Sequence, residues 1–160
     1  MASSNLLYEL YERRLSRRLD RRRAPQHVAV MLDGNRRWAR FTGTSTAHGH
    51  RKGADKITEF LTWADEAGVG RVTLWMLSTD NLSRDPGEVG DLLGIIAGTV
   101  DTLADDGRWK ICLVGALDLL PSDLADRLRS AEQRNHEHAT GSLDVNIAVG
   151  YGGRHEITDA

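Results

Sequence analysis

His27-Val-Ala-Val-Met-Leu-Asp-Gly-Asn-Arg-Arg-Trp38 is the stretch of sequence that decides the fold of this chain. Residues 28–32 form a short apolar run with β-branched side chains, which predicts a buried strand. Gly34 and Asn35 follow this run, and both tolerate the unusual backbone angles of a tight turn. The sequence therefore predicts a strand that ends abruptly in a polar turn.

A carboxylate and two guanidiniums follow the predicted strand. Asp33 is expected at its carboxyl end, with Arg36 and Arg37 one turn away. This combination suits a phosphate bridged by Mg²⁺, with the carboxylate on the metal and the guanidiniums on phosphate oxygens. A structural turn in which Asp33 pairs with Arg37 explains the same residues. The spacing leaves both interpretations open.

The next segments predict a strand–helix–strand unit. Residues 38–50 are small and polar, which is typical of a long loop. A stripe of apolar residues at helical spacing predicts a helix over residues 51–67, and Gly68 is suited to end it. The β-rich apolar run at residues 71–77 predicts the second strand. Strands joined in this way are expected to be parallel.

The second half of the chain continues this alternation. Asp85 and Pro86 predict the N-cap and first turn of a helix that reaches about residue 104, with Glu88 placed to complete a capping box. A strand, a helix and a strand are then predicted at residues 109–114, 121–138 and 143–149. We therefore expect an α/β fold with a central parallel sheet flanked by helices.

Three of the four predicted strands end in polar clusters, at residues 33–38, 78–84 and 151–154. The carboxyl ends of parallel strands meet at one edge of a sheet, which is the usual ligand site. The clusters supply a carboxylate, arginines, amides and hydroxyls, which suit a metal-assisted diphosphate substrate. His48 and His50 lack further ligands for a zinc site, so a phosphate contact by His50 is the better interpretation.

Composition narrows the class of protein. A length of 160 residues indicates one domain, and a net charge of −2 argues against a nucleic-acid-binding surface. Cys112 is the single cysteine, and its apolar surroundings in the sequence predict a buried thiol in a reducing compartment. The sequence has no apolar stretch of transmembrane length, and its first residues lack the apolar core that is expected of a signal peptide. We expect a cytoplasmic protein without a nucleic-acid partner.

Residues 1–24 predict a basic amphipathic helix. Leucine or tyrosine recurs every four residues, and seven arginines lie around this apolar stripe. The arginines either form a solvated helix face or contact anionic lipid headgroups, as basic amphipathic helices do. Peripheral contact with a membrane is therefore one of two expectations for this segment.

Four segments together resemble the cis-prenyltransferases, the undecaprenyl diphosphate synthase family of enzymes that extend isoprenyl chains in Z geometry. They are His27-Val-Ala-Val-Met-Leu-Asp-Gly-Asn-Arg-Arg-Trp38, Gly49-His-Arg-Lys-Gly53, Leu77-Ser-Thr-Asp-Asn-Leu-Ser-Arg84 and Asn146-Ile-Ala-Val-Gly-Tyr-Gly-Gly-Arg154. The resemblance implies a cis-prenyltransferase-like fold, with residues 25–160 as the N-terminal two-thirds of the domain. It also implies a homodimer that transfers an allylic diphosphate onto isopentenyl diphosphate with Mg²⁺.

The resemblance also implies roles for individual residues. Asp33 would bind Mg²⁺ and assist departure of the allylic diphosphate, and Asn81 would assist the condensation and proton loss. These two are therefore the expected catalytic residues. The residues expected to bind substrate are Gly34, Asn35, Arg36, Arg37, Trp38, Thr46, His50, Ser78, Thr79, Asp80, Leu82 and Arg84.

Three positions depart from the pattern of the long-chain members. Thr46 stands where arginine is usual, and Leu82 replaces the usual aromatic residue. Met76 replaces a small residue that faces the hydrocarbon tunnel, so its bulk is expected to limit product length. We expect a short product such as Z,E-farnesyl diphosphate. The alternatives are a long-chain decaprenyl or undecaprenyl diphosphate synthase and a non-catalytic subunit or diphosphate-binding module of the same fold.

The family's later R-x-S-G-E-x-R-x-S-N-F segment does not occur in this sequence. In the family it supplies arginines for isopentenyl diphosphate, a glutamate metal ligand and much of the dimer contact. The fold is therefore expected to be incomplete at the C-terminus, and the 160 residues alone are expected to have little or no synthase activity.

Overall fold

The computed structural model describes residues 10–11, 14–15, 18 and 20–158 of the chain. The helix expected over residues 1–24 therefore lies mostly outside the described residues. Among the helices that are described, none is long and apolar enough to cross a membrane.

Four parallel strands form one sheet in the described part of the chain, in the order β1-β2-β4-β3. They are β1 His27–Met31, β2 Arg71–Ser78, β3 Lys110–Val114 and β4 Asp144–Tyr151. β2 and β4 lie in the centre and pair on both sides, whereas β1 and β3 form the edges of the described sheet. The predicted parallel sheet is confirmed, and each strand lies within about two residues of its expected bounds.

From residue 35 onward, α-helices connect the strands. In chain order they are α1 Asn35–Thr42, α2 Thr46–Ala54, α3 Ile57–Ala67, α4 Pro86–Asp106, α5 Ser122–His138 and α6 Gly153–Thr158. Short 3₁₀ turns are formed by Arg21–Arg23, Thr79–Ser83 and Leu117–Leu119. The predicted alternation of strands and helices is therefore confirmed.

The hydrophobic core lies between one face of the sheet and the helices. Val72 and Leu74 of β2 and Ile147 of β4 are fully buried, together with Leu61 of α3 and Ile96 of α4. Successive side chains of a strand point to opposite faces, so these alternate strand residues all face the helices. Full burial of each such side chain stabilises the fold by about 1.5–3 kcal/mol. This packing fixes the position of the strands, and therefore of their carboxyl ends, relative to the helices.

The other face of the sheet is more open in the described residues, and Cys112 lies on it. Cys112 is exposed, although the adjacent Ile111 is buried. The prediction of a buried thiol was wrong, because it assumed that the apolar run is covered on both faces. β1, expected to be fully buried, is half-buried for the same reason. Desolvation and the nearby Glu132 carboxylate raise the pKa of Cys112, so its thiol stays protonated at neutral pH.

The loop expected over residues 38–50 was also wrong, because α1 and α2 occupy most of this segment. Gly43 ends α1 with a φ of +68°, and the Ser45 side chain caps α2 by accepting a hydrogen bond from a backbone N–H at 3.2 Å. These short helices have few apolar residues, so periodicity does not reveal them. The helix expected over residues 51–67 is accordingly divided between α2 and α3.

The predicted stop of α3 and the predicted N-cap of α4 are confirmed. Gly68 follows α3 in the left-handed conformation, with a φ of +87°. Asp85 accepts hydrogen bonds from the backbone N–H groups of Gly87 and Glu88 at 2.9 and 3.1 Å, and Pro86 begins α4. The capping box predicted for Glu88 is not confirmed, because among the described residues its carboxylate contacts two arginines and no bond to the Asp85 backbone N–H is found.

Candidate functional site

The turn after β1 positions the first polar cluster. Gly34 adopts a left-handed conformation with a φ of +91°, which lets the chain pass directly from the strand into α1. The predicted tight turn is therefore confirmed. Asp33 lies just before it, with Oδ2 3.2 Å from Nη2 of Arg37. The ion pair expected from the spacing exists, and both of its side chains are largely exposed.

Asn35 joins the end of β1 to α2. Its Nδ2 atom donates a hydrogen bond to the carbonyl oxygen of Leu32 at 3.1 Å. Gly53 lies so close that a Cβ atom there would be 2.5 Å from Oδ1 of Asn35, and a Cβ at Gly49 would overlap the Asn35 carbonyl oxygen. The two glycines thus allow α1 and α2 to pack tightly, which brings the beginning of α1 beside His50.

A cavity of about 340 Å³ opens at the carboxyl ends of β1 and β2. Its polar lining consists of Asp33, Gly34, Asn35, Arg36, His50, Ser78, Asp80, Asn81 and Arg84. Its apolar lining consists of Met31, Leu32, Ala54, Trp75, Met76, Leu92, Ile95 and Ile96. The cavity therefore combines a charged, hydrogen-bonding part with a hydrocarbon part.

Two arginines of the cavity share one carboxylate. Oε1 of Glu88 lies 3.3 Å from Nε of Arg36 and 3.4 Å from Nη1 of Arg84. Arg36 belongs to α1, whereas Arg84 directly precedes the N-cap of α4. Guanidinium groups present several N–H donors in a fixed plane, which suits phosphate oxygens. The pair of arginines is therefore suited to bind an anion.

His50 lines the same cavity. Its Nε2 atom is buried and makes no hydrogen bond with the described residues. Desolvation is the main reason that the pKa of His50 is lowered; Glu88 opposes this shift, whereas Arg84 and Arg36 add to it. A buried ring nitrogen without a partner is suited to hydrogen-bond a ligand. His50 thus offers the cavity a neutral imidazole at neutral pH.

The end of β2 positions the second polar cluster. Ser78 accepts a hydrogen bond from the backbone N–H of Asn81 at 3.2 Å, which starts the turn Thr79–Ser83. The third cluster packs on this turn, because a Cβ atom at Gly152 would lie 2.6 Å from Oγ1 of Thr79. Parts of the first two clusters line the cavity, whereas Gly152 approaches the turn and is not part of the lining.

Five residues expected to bind substrate lie outside the cavity lining: Arg37, Trp38, Thr46, Thr79 and Leu82. Trp38 is exposed on α1 and stacks on the ring of His48, with centroids 5.9 Å apart. Thr46 is the first residue of α2. Leu82 packs against the hydrophobic core from the turn after β2. The structure therefore does not place these five residues in the cavity lining.

Sequence reasoning misses two features of the cavity. The apolar stripe of α4 predicts core residues, yet Leu92 and Ile96 belong to the core and also line the cavity. Glu88 follows Arg84 by four residues, which is the spacing of a helical ion pair. That spacing is the signal that could have identified Glu88 as part of the site.

The family described as "Putative undecaprenyl diphosphate synthase" matches residues 31–160, a range that includes the whole cavity lining. The chain belongs to the undecaprenyl diphosphate synthase family. The resemblance that rests on the four sequence segments is therefore confirmed. The chain also resembles individual members of the family along nearly its whole length.

Relatives that are named as isoprenyl transferases or farnesyl diphosphate synthases match almost the whole chain. It is 55% identical to "Isoprenyl transferase 1" of Streptomyces avermitilis, over 97% of this chain and 60% of the relative. It is 54% and 47% identical to the "(2Z,6E)-farnesyl diphosphate synthase" of Thermobifida fusca and of Mycobacterium tuberculosis, over 96% of this chain and 60% of each relative. The chain thus spans about 60% of the length of these relatives.

Solved structures of family members have the same fold. The crystal structure of lavandulyl diphosphate synthase from Lavandula x intermedia, in complex with dimethylallyl diphosphate, gives a TM-score of 0.76 at 30% identity. A probable undecaprenyl diphosphate synthase from Campylobacter jejuni gives a TM-score of 0.66 at 21% identity. Each match covers 84% of this chain and 58% of the other. The expected cis-prenyltransferase-like fold is confirmed.

We expect Gly49→Ala to destabilise the protein by about 1–3 kcal/mol, the usual cost of forcing extra atoms into a packed region. The added Cβ overlaps the Asn35 carbonyl oxygen, so α1 and α2 must separate. Equilibrium unfolding in urea measures the effect. Gly90→Ala on α4 is the matched control, because no atom lies within 4 Å of its Cβ position. A Gly49→Ala variant as stable as the native chain would contradict this packing.

We expect His50 to make the native chain less stable as the pH falls. Its folded pKa lies below its ordinary value of 6.5, so between these two values the unfolded state binds more protons. Stability therefore decreases as pH falls through 6.5 and levels off below the folded pKa. His50→Gln removes this proton uptake, and urea unfolding over a pH series measures the difference. The exposed His48→Gln is the control, and equal pH profiles of native and His50→Gln chains would disprove the prediction.

Proposed function

We propose that this chain binds an allylic diphosphate as part of an enzyme that condenses it with isopentenyl diphosphate in Z geometry. The product is short, such as (2Z,6E)-farnesyl diphosphate. The observation that carries this proposal is the two-part cavity, in which arginines and a histidine lie next to an apolar wall. An allylic diphosphate has the same two parts, a charged head and a hydrocarbon tail. The names of the relatives from Thermobifida fusca and Mycobacterium tuberculosis support the product.

In this proposal, the polar part of the cavity binds the diphosphate head. Arg36 and Arg84 donate hydrogen bonds to phosphate oxygens, and Nε2 of His50 contacts the same group. Positive groups held in place before the reaction stabilise the negative charge that develops as diphosphate leaves. The lowered pKa of His50 leaves the arginines as the main cations of this part of the site at neutral pH.

Mg²⁺ is the cofactor that the family implies, and Asp33 is the residue that suits it. Asp33 is an exposed carboxylate in the cavity lining, and Mg²⁺ is usually held by one or two carboxylates together with substrate phosphates and water. The described residues hold no group of three or more His, Cys, Asp or Glu side chains that could bind a metal. The bound ion would neutralise charge on the departing diphosphate. To bind the ion, Asp33 would give up its contact with Arg37.

The remaining residues of the cavity assist the condensation. Asn81, at the end of β2, is proposed to assist attack by isopentenyl diphosphate and the following proton loss. Ser78 holds the turn that carries Asn81 through its hydrogen bond to the Asn81 backbone. The apolar wall excludes water from the carbocation that forms when diphosphate departs. Ile95 and Ile96 of α4 belong to this wall.

A homodimer and peripheral membrane contact through residues 1–24 are further parts of the proposal. They rest on the sequence and on the family resemblance. Sedimentation of the chain and its co-sedimentation with anionic vesicles test them separately. A cytoplasmic location stays a prediction from the sequence.

We expect Asp33→Ala to lose the Mg²⁺-dependent part of geranyl diphosphate binding while keeping the native fold. The carboxylate is exposed, so its removal costs little stability, but the metal loses its protein ligand. Titration calorimetry with Mg²⁺ or with a chelator measures the effect, and Asp123→Ala, an exposed acidic residue on α5, is the matched control.

If the native chain binds geranyl diphosphate equally tightly with Mg²⁺ and with the chelator, the proposed role of Asp33 is contradicted. Incubation with isopentenyl diphosphate and C5, C10 or C15 allylic diphosphates then tests the reaction itself. Elongation that Asp33→Ala abolishes would support the enzyme, whereas tight diphosphate binding that is independent of Mg²⁺ would indicate a diphosphate-binding module.

We expect Met76→Ala to shift the preference of the cavity toward longer hydrocarbon tails. Met76 is half-buried and lines the apolar part, so removing most of its side chain lengthens the space for the tail. The ratio of the affinities for farnesyl and geranyl diphosphate should rise, and any product separated by chromatography should be longer. Leu119→Ala, at an exposed leucine outside the cavity lining, is the control. Unchanged affinity ratios and product lengths would disprove this role of Met76.

A further inference from the structure

Glu88 is a carboxylate of the site that does not line the cavity. Its Oε1 atom contacts Nε of Arg36 at 3.3 Å and Nη1 of Arg84 at 3.4 Å. Both arginines line the cavity, whereas Glu88 itself is not part of the lining. Its side chain is only 19% exposed, which makes it more shielded than either arginine. Glu88 therefore contacts the two arginines from outside the ligand space.

The first turn of α4 is a suitable position for a carboxylate that contacts both arginines. Asp85 already caps the helix, because its side chain accepts the backbone N–H groups of Gly87 and Glu88. The side chain of Glu88 is therefore available for tertiary contacts. An acidic residue in the first turn is also stabilised by the helix dipole. The charge of Glu88 reaches the cavity, since it raises the pKa of His50 against the effect of burial.

Without a carboxylate between them, Arg36 and Arg84 would be two like charges on separate elements of the chain. Like charges repel, and long arginine side chains have many rotamers to occupy. A shared carboxylate oxygen holds both guanidiniums near one point. The N–H groups that Glu88 does not use remain available to an anion, because each guanidinium carries five N–H donors in a plane.

We propose that Glu88 is a positioning residue that orients Arg36 and Arg84 toward the diphosphate group of the substrate. This inference rests on the proposed function, because the anion in question is the diphosphate head. For the removal of the Glu88 carboxylate, the inference predicts a change in anion affinity opposite to the change that net charge alone predicts. Removing a negative charge should strengthen anion binding if only the total charge matters. It should weaken anion binding if Glu88 acts by holding the arginines in place.

The test compares Glu88→Gln with the native chain in titration calorimetry against inorganic diphosphate in the presence of Mg²⁺. We expect binding to weaken roughly tenfold, the size of effect typical for the loss of hydrogen bonds to a charged group. Asp91→Asn removes the same charge from an exposed position about one turn further along α4, and its affinity should stay within about twofold of the native value. Native or tighter binding by Glu88→Gln would overturn the proposal.

A second variant, Glu88→Asp, tests the proposal if Glu88→Gln does not fold. Glu88→Asp keeps the charge but shortens the side chain by one methylene, so it cannot maintain both arginine contacts. Its affinity should lie between the values of the native chain and of Glu88→Gln. Native affinity in Glu88→Asp would overturn the proposal where Glu88→Gln is unfolded.

Arginine side-chain NMR separates this inference from the proposed function. The guanidinium of Arg84 donates a hydrogen bond from Nη1 to Oε1 of Glu88 at 3.4 Å, whereas Arg36 forms an ion pair with the same oxygen. The hydrogen-exchange rate of the Arg84 Nη–H groups should rise clearly in Glu88→Gln and stay native in Asp91→Asn, with no ligand required. If the native chain does not bind diphosphate, the proposed function fails, and the exchange rate still decides the role of Glu88. An exchange rate unchanged by Glu88→Gln would overturn it.

Discussion

The close contact between Asn35 and the two glycines of α2 is the constraint on which the site depends. Asn35 is also tied to the end of β1 through its hydrogen bond to Leu32. The side chain and the backbone carbonyl of Asn35 thus fix the strand end, the beginning of α1 and α2 relative to one another. Arg36 follows Asn35 directly, and His50 follows Gly49 directly, so the same contact brings both into one cavity. Any side chain larger than hydrogen at these glycines would separate them.

The parts of the fold that the sequence predicts are those with strong local signals. The strands are apolar and β-branched, and residues such as Gly68 and Asp85 end or begin helices by local hydrogen bonds and backbone angles. α1 and α2 have no such apolar pattern, since their helical form depends on caps and on contact with each other. The exposure of Cys112 was also unpredictable, because a buried and a half-covered parallel strand have similar sequences.

The polar half of the site was easier to predict than the apolar half. Topology alone brings the ends of β1 and β2 together, so residues such as Asp33 and Ser78 could be grouped without knowledge of side-chain contacts. The apolar wall depends on how α4 crosses the sheet. Leu92 and Ile96 have the spacing of core residues, and nothing local distinguishes a core residue that also borders a cavity.

Asp33 and Glu88 pair with arginines in different environments, and this difference separates their roles. The pair of Asp33 and Arg37 is largely exposed, so water and salt screen it and it contributes little to stability. Asp33 can therefore leave Arg37 for a metal ion at small cost. Glu88 is shielded and contacts two arginines, so breaking its contacts would leave a poorly solvated charge. The exposed carboxylate is thus suited to exchange partners during a reaction, whereas the shielded one is suited to keep the arginines in place throughout it.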